Sequence, residues 1–529
     1  MTRIGLATTL LLSCASTALS QGQVHQHSGT EKLGTVHFST SCNPAAAPQF
    51  NRAVALLHSF EFGASIRAFN DVLAIDSTCA MAHWGIALSR WTNPFVVQTR
   101  TAAQLGPGKA AVDAASRLSD YATVRERAYI TAVGKLFADY ERVDQRTRVV
   151  AYERAMAELV AQQPADTEAK IFYALSLAAA APPTDKTYAN QLKAGSILEP
   201  LWALQPNHPG LAHYIIHSYD YPPLADRARA AARRYADIAP SAAHALHMPS
   251  HTFTRVGMWD ESVSTNRSSI EAALVSGGIG EALHASDYAI YALLQMRRDS
   301  AAKAVLDELP ALAARFDVNA ITGAAPGSAG VFAIAAIPAR WALERRAWAE
   351  AAALQPTAST FPYTEGMTYF ARALGAAHVG DLAEARASAD SLAAIRERLA
   401  SKGETYWAEQ VAIQQLCAEG WIDFAKGNVE SALARLRQAA RREDATEKSV
   451  VTPGPLAPAR ELLGDMLMEL KQPSAALAEY RATLAKEPNR FRTLNGAMHA
   501  ASASGDRAAE SSYAAELKKL TGSSASARN

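Results

Sequence analysis

Histidines are concentrated in one stretch of this 529-residue chain, where seven of the 14 fall between positions 208 and 284. Those seven are His208, His213, His217, His244, His247, His251 and His284. Neutral imidazole is a ligand that suits Zn, Cu, Fe and Ni, so a dense histidine cluster indicates a transition-metal site. A polar pocket for a small ligand, or histidines that serve only packing, would account for the same composition.

The first group of histidines lies in the segment HPGLAHYIIHSYDYPP. A proline suits the first turn of a helix and the Pro-Pro pair ends one, so the segment predicts a single helix from Gly210 to about Asp220. His213, His217 and Asp220 follow one another there at i, i+4 and i+7. That spacing places the three side chains on one helical face.

The second group lies in the segment HALHMPSHTF, where His244, His247 and His251 fall at i, i+3 and i+7. A helix would again place the three side chains on one face. Pro249 interrupts this helix, because a proline removes a backbone hydrogen bond and introduces a kink. We therefore expect irregular backbone geometry around His251.

The rest of the chain predicts the helices that would position these side chains. From about residue 50 onward, apolar residues recur at helical spacing and β-branched alternation is almost absent, which predicts an all-α fold. The helices come in pairs that resemble the tetratricopeptide repeat, a helix-turn-helix unit of about 34 residues. The best agreement is in LLGDMLMELKQPSAALAEYRATLAKEPNRFRTLNGA, where the matching positions are Pro473, Ala476, Tyr480 and Pro488. The resemblance covers most of residues 50–515 and implies a tetratricopeptide-like α-solenoid of stacked helical hairpins.

The histidine spacing matches the length of that repeat. His213 and His247 are 34 residues apart, and so are His217 and His251. Equivalent residues one repeat apart lie on neighbouring helices, whose axes are about 8 to 10 Å apart. We therefore expect these four imidazoles to converge as the ligands of one transition metal, with Cu, Zn or Fe as candidates.

Further polar residues near the four histidines are expected to orient the imidazoles or to line the pocket. They are Asp220, His244, Arg255, His284 and Asp287. Of these, Asp220, His284 and Asp287 are also candidates for further metal ligands. With one metal position open to water or oxygen, the chemistry would be metal-assisted hydrolysis or copper- or iron-dependent oxidation. Four protein ligands would instead close the site and favour storage, sensing or structure.

The N-terminal segment MTRIGLATTLLLSCASTALSQG has one basic residue, a short apolar run and small residues near position 20. This pattern predicts a secretory signal peptide over residues 1–20 and hence a periplasmic or secreted protein. The alternative is lipidation at Cys14, because LLSC resembles a bacterial lipobox, and the product would then be an outer-membrane lipoprotein. Residues 21–45 are polar and predict a flexible leader, and residues 516–529 predict a disordered tail.

An exported protein matures where disulfides persist, and cleavage near position 20 leaves three cysteines. Cys42 precedes the first helical pattern and Cys79 lies at the turn that closes the first helical hairpin. A bond between them would pin the N-terminal end of the solenoid and contribute about 3 to 4 kcal/mol. Two unrelated thiols are the alternative interpretation.

Gly/Pro-rich clusters divide the helical pattern. Residues 317–340 predict a loop or break that separates an N-terminal solenoid, residues 46–316, from a C-terminal solenoid, residues 341–515. A second cluster, KSVVTPGPLAP, occupies residues 448–458.

Composition excludes several function classes. The net charge of +1 is unlike that of a nucleic-acid-binding domain. No stretch after the N-terminus approaches 18 uncharged apolar residues, so no transmembrane helix is expected. Nucleotide-binding, metalloprotease and serine-hydrolase motifs are also missing.

Three long segments resemble exported bacterial tetratricopeptide proteins: SCNPAAAPQFNRAVALLHSFEF, HPGLAHYIIHSYDYPPLA and HALHMPSHTFTRVGMWDES. The resemblance implies a solenoid and export, and it assigns no substrate or catalytic residue. A metal-free adaptor that binds peptides or partner proteins in the solenoid groove is therefore the alternative to a metal site.

Overall fold

A computed structural model describes residues 31–522 of the chain. Within that range it contains 25 α-helices, three 3-10 helices and no strand, so the prediction of an all-α fold is confirmed. The predicted signal peptide with Cys14, residues 21–30 of the leader and residues 523–529 of the tail lie outside the described residues. None of the helices within residues 31–522 combines the length and the apolar character needed to cross a membrane.

The first nine α-helices form the N-terminal part of the array. They are α1 (Ala47–His58), α2 (Phe62–Ile75), α3 (Ala80–Trp91), α4 (Ala102–Arg117), α5 (Val124–Phe137), α6 (Gln145–Gln162), α7 (Thr167–Ala179), α8 (Ala189–Leu204) and α9 (Pro209–Ser218). Each helix packs against the one that follows it, as in stacked helical hairpins. In addition α1 contacts α9, so the array curls until its first helix meets its ninth.

Eight further helices form the middle of the array. They are α10 (Arg229–Ile238), α11 (Ala243–His247), α12 (Pro249–Arg255), α13 (Trp259–Ser276), α14 (Ile279–Gln295), α15 (Asp299–Ala313), α16 (Gly327–Glu344) and α17 (Trp348–Ala353). Only Met248 separates α11 from α12. Pro249 has no backbone N–H to continue α11, and it occupies the first position of α12 instead, where a proline fits.

Eight helices form the C-terminal part of the array. They are α18 (Pro362–Val379), α19 (Leu382–Ser401), α20 (Thr405–Ala425), α21 (Val429–Ala445), α22 (Ala459–Glu469), α23 (Pro473–Lys486), α24 (Phe491–Ser504) and α25 (Arg507–Gly522). Residues 516–522, expected to belong to the disordered tail, are the last turns of α25. Three 3-10 helices complete the described chain: Pro44–Ala46, Ser119–Tyr121 and Ala225–Ala228.

The expected loop at residues 317–340 is much shorter, because α16 already begins at Gly327. The glycines at the start of α16 allow this helix to pack closely against the chain that precedes it. A Cβ atom on Gly327 would lie 1.9 Å from the carbonyl oxygen of Val318, and one on Gly330 would lie 2.4 Å from the ring of Phe316. The prediction of a loop was therefore wrong for the second half of this segment, where glycine lets α16 approach the preceding connection.

Residues 31–45, which were expected to belong to a flexible leader, are instead packed against the helices. Leu33, Val36 and Phe38 are buried in the N-terminal core. The Phe38 ring contacts the rings of Phe50, Trp84 and Tyr129 at 5.3 to 5.5 Å between centroids. Cys42, at the end of this segment, is disulfide-bonded to Cys79. The few apolar residues of a mostly polar segment are thus enough to hold it against the helices.

The connection that contains the second Gly/Pro cluster folds back against helices in the middle of the array. Residues 446–458 connect α21 to α22 and pack against α14 and α16. The Tyr288 hydroxyl on α14 donates to the carbonyl oxygen of Thr452 at 2.9 Å, and Arg340 on α16 donates to that of Gly454 at 3.0 Å. This returning segment covers the region in which the histidines lie.

Candidate metal centre

Six buried histidines meet where α9, α11, α12 and α14 converge. None of the six residues is more than 5% exposed. They form two groups of three, and within each group the potential ligand atoms all lie within 4.8 Å of one another. We call His213, His217 and His244 the first triad, and His247, His251 and His284 the second triad.

The first triad joins two histidines of α9, one helical turn apart, to the first histidine of α11. His213 and His217 lie at i and i+4 on α9, as the sequence predicts, and their ring centroids are 4.8 Å apart. The His244 ring lies 5.0 Å from that of His213 and 6.4 Å from that of His217.

One backbone contact orients the first triad. The Nδ1–H of His213 donates to the carbonyl oxygen of His58, the last residue of α1, at 2.6 Å. Gly210 makes this approach feasible, because a Cβ atom there would lie 2.5 Å from the His58 ring. A neutral His213 with its proton on Nδ1 carries a lone pair on Nε2, which is the state required of a metal ligand.

Several nitrogens of the first triad lack a hydrogen-bond partner among residues 31–522. These atoms are Nε2 of His213, Nε2 of His217 and both ring nitrogens of His244. The surrounding side chains are aromatic: Phe60 contacts all three rings and Phe95 stacks on His217 at 4.2 Å. A buried polar group left unsatisfied costs about 1 to 3 kcal/mol, so this cluster calls for a ligand.

The second triad is built from the end of α11, the first turn of α12 and the first half of α14. The Nε2 atoms of His247 and His251 face each other at 3.1 Å. The His284 ring lies 4.5 Å from that of His247, and its Nδ1 has no hydrogen-bond partner in the described part of the chain.

The hydrogen bonds on the far sides of these rings determine which nitrogens carry protons. Asn266 Nδ2 donates to the Ser262 carbonyl oxygen at 2.7 Å, so its Oδ1 must be the atom that faces His247. His247 Nδ1–H therefore donates to Asn266 Oδ1 at 2.7 Å. His251 Nδ1–H donates to Asp220 Oδ2 at 2.9 Å. In neutral rings both Nε2 atoms then carry lone pairs, and two lone pairs at this distance repel unless a cation lies between them.

Asp220 is the carboxylate that orients His251, as expected, and Arg255 lies beside it. Arg255 Nε donates to Asp220 Oδ1 at 2.8 Å, and Lys448 from the returning segment donates to Oδ2 at 3.1 Å. Burial alone would raise the pKa of Asp220, but Lys448 and Arg255 outweigh it and hold this pKa well below its usual range. With two cations already on this carboxylate, an additional proton on His251 is disfavoured.

The electrostatics keep the six imidazoles neutral. Burial lowers the pKa of every one, and neighbouring histidines lower several of them further. Neutral imidazoles are the form that binds metal, so no proton has to be displaced near neutral pH.

The expected four-histidine ligand set is therefore divided between two triads. His213 and His217 meet His244, which was expected to orient the imidazoles or line the pocket, and His247 and His251 meet His284, which was expected as a further ligand or an orienting residue. Neither pair of histidines one repeat apart shares a triad. His244, one turn before His247 on α11, completes the first triad, and His284 on α14 completes the second. The triads still adjoin, with centroid distances of 5.9 Å from His244 to His247 and 6.2 Å from His217 to His251.

Asp287 does not belong to the histidine centre. Although it follows His284 on α14, its carboxylate accepts from Arg340 Nε on α16 at 2.7 Å, and both side chains are fully buried. The ion pair joins α14 to α16, so the expectation that Asp287 orients an imidazole was wrong.

The sequence patterns did not predict three sets of contacts near the histidine centre. His58, Glu168 and His208 form a third buried cluster in which Glu168 Oε2 lies 2.9 Å from His58 Nε2 and Oε1 lies 3.0 Å from His208 Nε2. Glu281 Oε2 lies 3.8 Å from His244 Nδ1. Lys448 is 228 residues from Asp220 along the chain. No spacing rule links residues this remote in sequence.

No family model matches the sequence, and a comparison with curated proteins gives no match either. Solved structures with a similar course of helices include human IFIT1 in a dimer with m7Gppp-AAAA, at TM-score 0.37 and 10% identity over 83% of this chain and 90% of that one. The Cut9–Hcn1 hetero-tetramer of the APC/C follows at TM-score 0.27 and 12% identity, over 90% and 93% of the two chains. These scores are too low to indicate a shared function.

Proposed function

We propose that the protein is a helical-repeat metalloprotein that binds a transition-metal ion with His247, His251 and His284. The observation that carries this proposal is the Nε2–Nε2 distance of 3.1 Å between His247 and His251, whose Nδ1 protons are both committed elsewhere. Two nitrogens about 2.0 to 2.1 Å from one tetrahedral ion lie roughly 3.3 Å apart, so the two lone pairs already have the spacing of metal ligands.

The surroundings of the second triad support the same proposal. Asp220 on the Nδ1 side of His251 gives the carboxylate–histidine pairing typical of metal sites, and Asn266 plays the orienting role for His247. The ligands are all imidazoles, which suit Cu, Zn or Fe. Three protein ligands leave one position open to water or substrate, as in catalytic rather than closed structural sites. Metal-assisted hydrolysis or oxidation is the chemistry that such a site supplies.

We also propose that the protein works outside the reducing cytoplasm. The Cys42–Cys79 disulfide supports this location, because such bonds persist in oxidising compartments. The N-terminal pattern, with cleavage after about residue 20 or lipidation at Cys14, is the matching sequence feature.

The test is the metal content of untagged protein after metal removal and reloading with Cu(II), Zn(II) or Fe(II), measured by elemental analysis after desalting. The H247Q/H251Q double variant should lose one equivalent of metal. His499→Gln at an exposed position of α24 and His378→Gln at a half-buried position of α18 are the matched controls and should lose none. Circular dichroism would check that each variant folds. Equal metal content in wild type and the double variant would overturn the proposal.

The alternative function is a metal-free adaptor that binds a peptide or protein in the helical array. It predicts that wild-type protein takes up no metal at any stage of the same experiment. Co-purification of one defined partner that survives the H247Q/H251Q change would then favour the adaptor.

A further inference from the structure

The first triad is a buried group of three imidazoles, most of whose nitrogens are not used in hydrogen bonds. Nε2 of His213, Nε2 of His217 and both nitrogens of His244 have no hydrogen-bond partner within residues 31–522. The hydrogen bond from His213 to the His58 carbonyl oxygen already directs the lone pair of that ring toward the other two histidines. As in His247, the proton lies on Nδ1 and the lone pair lies on Nε2. The first triad therefore has the character of a second metal site.

The position of the first triad beside the second adds an independent observation. The rings of the two triads are in contact, since His244 and His247 are consecutive histidines of the short helix α11 and lie 5.9 Å apart between centroids. His217 and His251 make the second contact at 6.2 Å. An ion in each triad would therefore lie next to the other, surrounded by the six imidazoles, the rings of Phe60, Phe95 and Tyr288 and the Glu281 carboxyl group.

The charges around two such ions indicate which further ligand they would bind. The six ligands are neutral imidazoles. Asp220, which accepts a hydrogen bond from the His251 ring, is already neutralised by Arg255 and Lys448, and Glu281 is a second buried carboxyl group beside the triads, with Oε2 3.8 Å from His244 Nδ1. Two divalent ions in a low-dielectric interior repel strongly unless an anion lies between them. A small oxygen anion such as hydroxide fits this need, and three imidazoles on each ion leave a position open for it.

We propose that the histidine centre is dinuclear, with a second transition-metal ion on His213, His217 and His244 and a bridging hydroxide shared with the ion on His247, His251 and His284. The proposal rests on the metal site of the second triad proposed above. It also names the ligand class of the centre, which is a small anion that bridges two metals.

The experiment uses Cu(II) alone as the probe, added stepwise to metal-free, untagged protein. Bound copper is counted by elemental analysis after desalting, and unpaired spins are counted by electron paramagnetic resonance. Wild type should bind two equivalents, and the second should lower the spin signal per copper because the bridged ions couple. A second equivalent that adds its full signal would mean two isolated sites and would overturn the bridge.

Site-selective variants separate this inference from the proposed function. H213Q/H217Q and H247Q/H251Q should each bind one copper with a full spin signal. If wild type binds one copper, which only H247Q/H251Q loses, the proposed function stands and the dinuclear inference fails. If only H213Q/H217Q loses it, both fail. His244→Gln provides a milder change to the first triad, should the double variant not fold, and is expected to remove the coupling.

Discussion

The buried ion network around Arg490 and the histidine centre belong to the same helical array, yet their polar atoms are in opposite states. Arg490 Nη2 donates to Glu344 at 2.8 Å, Nε to Glu461 at 3.1 Å and Nη1 to the Tyr291 hydroxyl at 3.1 Å. Several nitrogens of the two triads instead face one another or lack a partner in the part of the chain that the structure describes. The first arrangement is complete without a ligand and the second is not.

His378 in the C-terminal part shows how a packing histidine differs from the six. Its Nδ1–H donates to the Leu374 carbonyl oxygen at 2.8 Å, and its ring stacks on Trp348 at 3.8 Å. Buried polar groups in native proteins are normally satisfied in this way. The comparison teaches that unsatisfied nitrogens, rather than histidine count, distinguish a binding centre from a packed core.

Acidification should produce the largest difference between the two regions. Burial lowers the pKa of the triad histidines below the ordinary value of about 6.5. Below that pH the unfolded chain binds more protons than the folded one, so the free energy of unfolding of metal-free protein falls as pH falls. The slope is about 1.4 kcal/mol per pH unit for each histidine that stays neutral when folded.

Denaturant unfolding of metal-free protein between about pH 7.5 and pH 5 measures this effect. The Arg490 network should not contribute in this range. Burial would raise the pKa of Glu461, but Arg490 and Arg492 outweigh it and lower this pKa to about 2. Bound metal should move the loss of stability to lower pH. Burial raises the pKa of Glu61 to about 8 and that of Glu281 and Glu443 to about 7, so these carboxyl groups oppose the histidine effect as pH falls. A free energy of unfolding that rises between about pH 6.5 and pH 5 would contradict the neutral, buried state of the triads.

Arg490→Met should destabilise the protein by about 3 to 5 kcal/mol, because it leaves Glu344 and Glu461 buried without their shared cation. Metal content should not change, since the network does not contact a triad. The control is Arg481→Met, which removes a half-exposed pair with Asp506 and should cost less than about 1 kcal/mol. Denaturant unfolding measures the loss of stability in each variant. Equal losses in the two variants would show that the buried Arg490 network contributes no more than an exposed ion pair.

Removing the disulfide with C42S/C79S should lower the free energy of unfolding by about 3 to 4 kcal/mol, because the unfolded chain regains the entropy of an open loop. Wild type with a reductant should then match the untreated double variant, and the reductant should not affect the variant. A wild type that is insensitive to reductant would argue against this bond.

Asn266→Ala should have the smallest effect, a loss of about 10- to 100-fold in the metal affinity of the second triad, because His247 loses the acceptor that orients it. Ser269→Ala is a close control on the same helix, α13. Its hydroxyl donates to the Ala243 carbonyl oxygen on α11 without touching a histidine. Competition titration with a chelator compares the two variants, and equal affinities would show that Asn266 does not orient the ligand.

Local sequence patterns predicted the helices that carry the histidines. They were less successful in predicting which histidines contact one another. The i, i+4 spacing of His213 and His217 places both on α9, and Pro249 marks the break between α11 and α12. The 34-residue spacing correctly linked two neighbouring repeats, but it paired equivalent residues. His217 and His251 do lie 6.2 Å apart between ring centroids, but each triad is completed by His244 or His284, which the repeat spacing does not select.

The sequence by itself determined the all-α class, the paired helices and the concentration of imidazoles on helical faces, because periodicity and proline effects act within a few residues. Only the tertiary structure decided which histidines share a triad, that the His58 carbonyl oxygen orients His213, and that Lys448 reaches Asp220. It also decided that Asp287 pairs with Arg340. These contacts depend on how far the array curls and where its connections return, and many small packing interactions across the whole chain set that geometry.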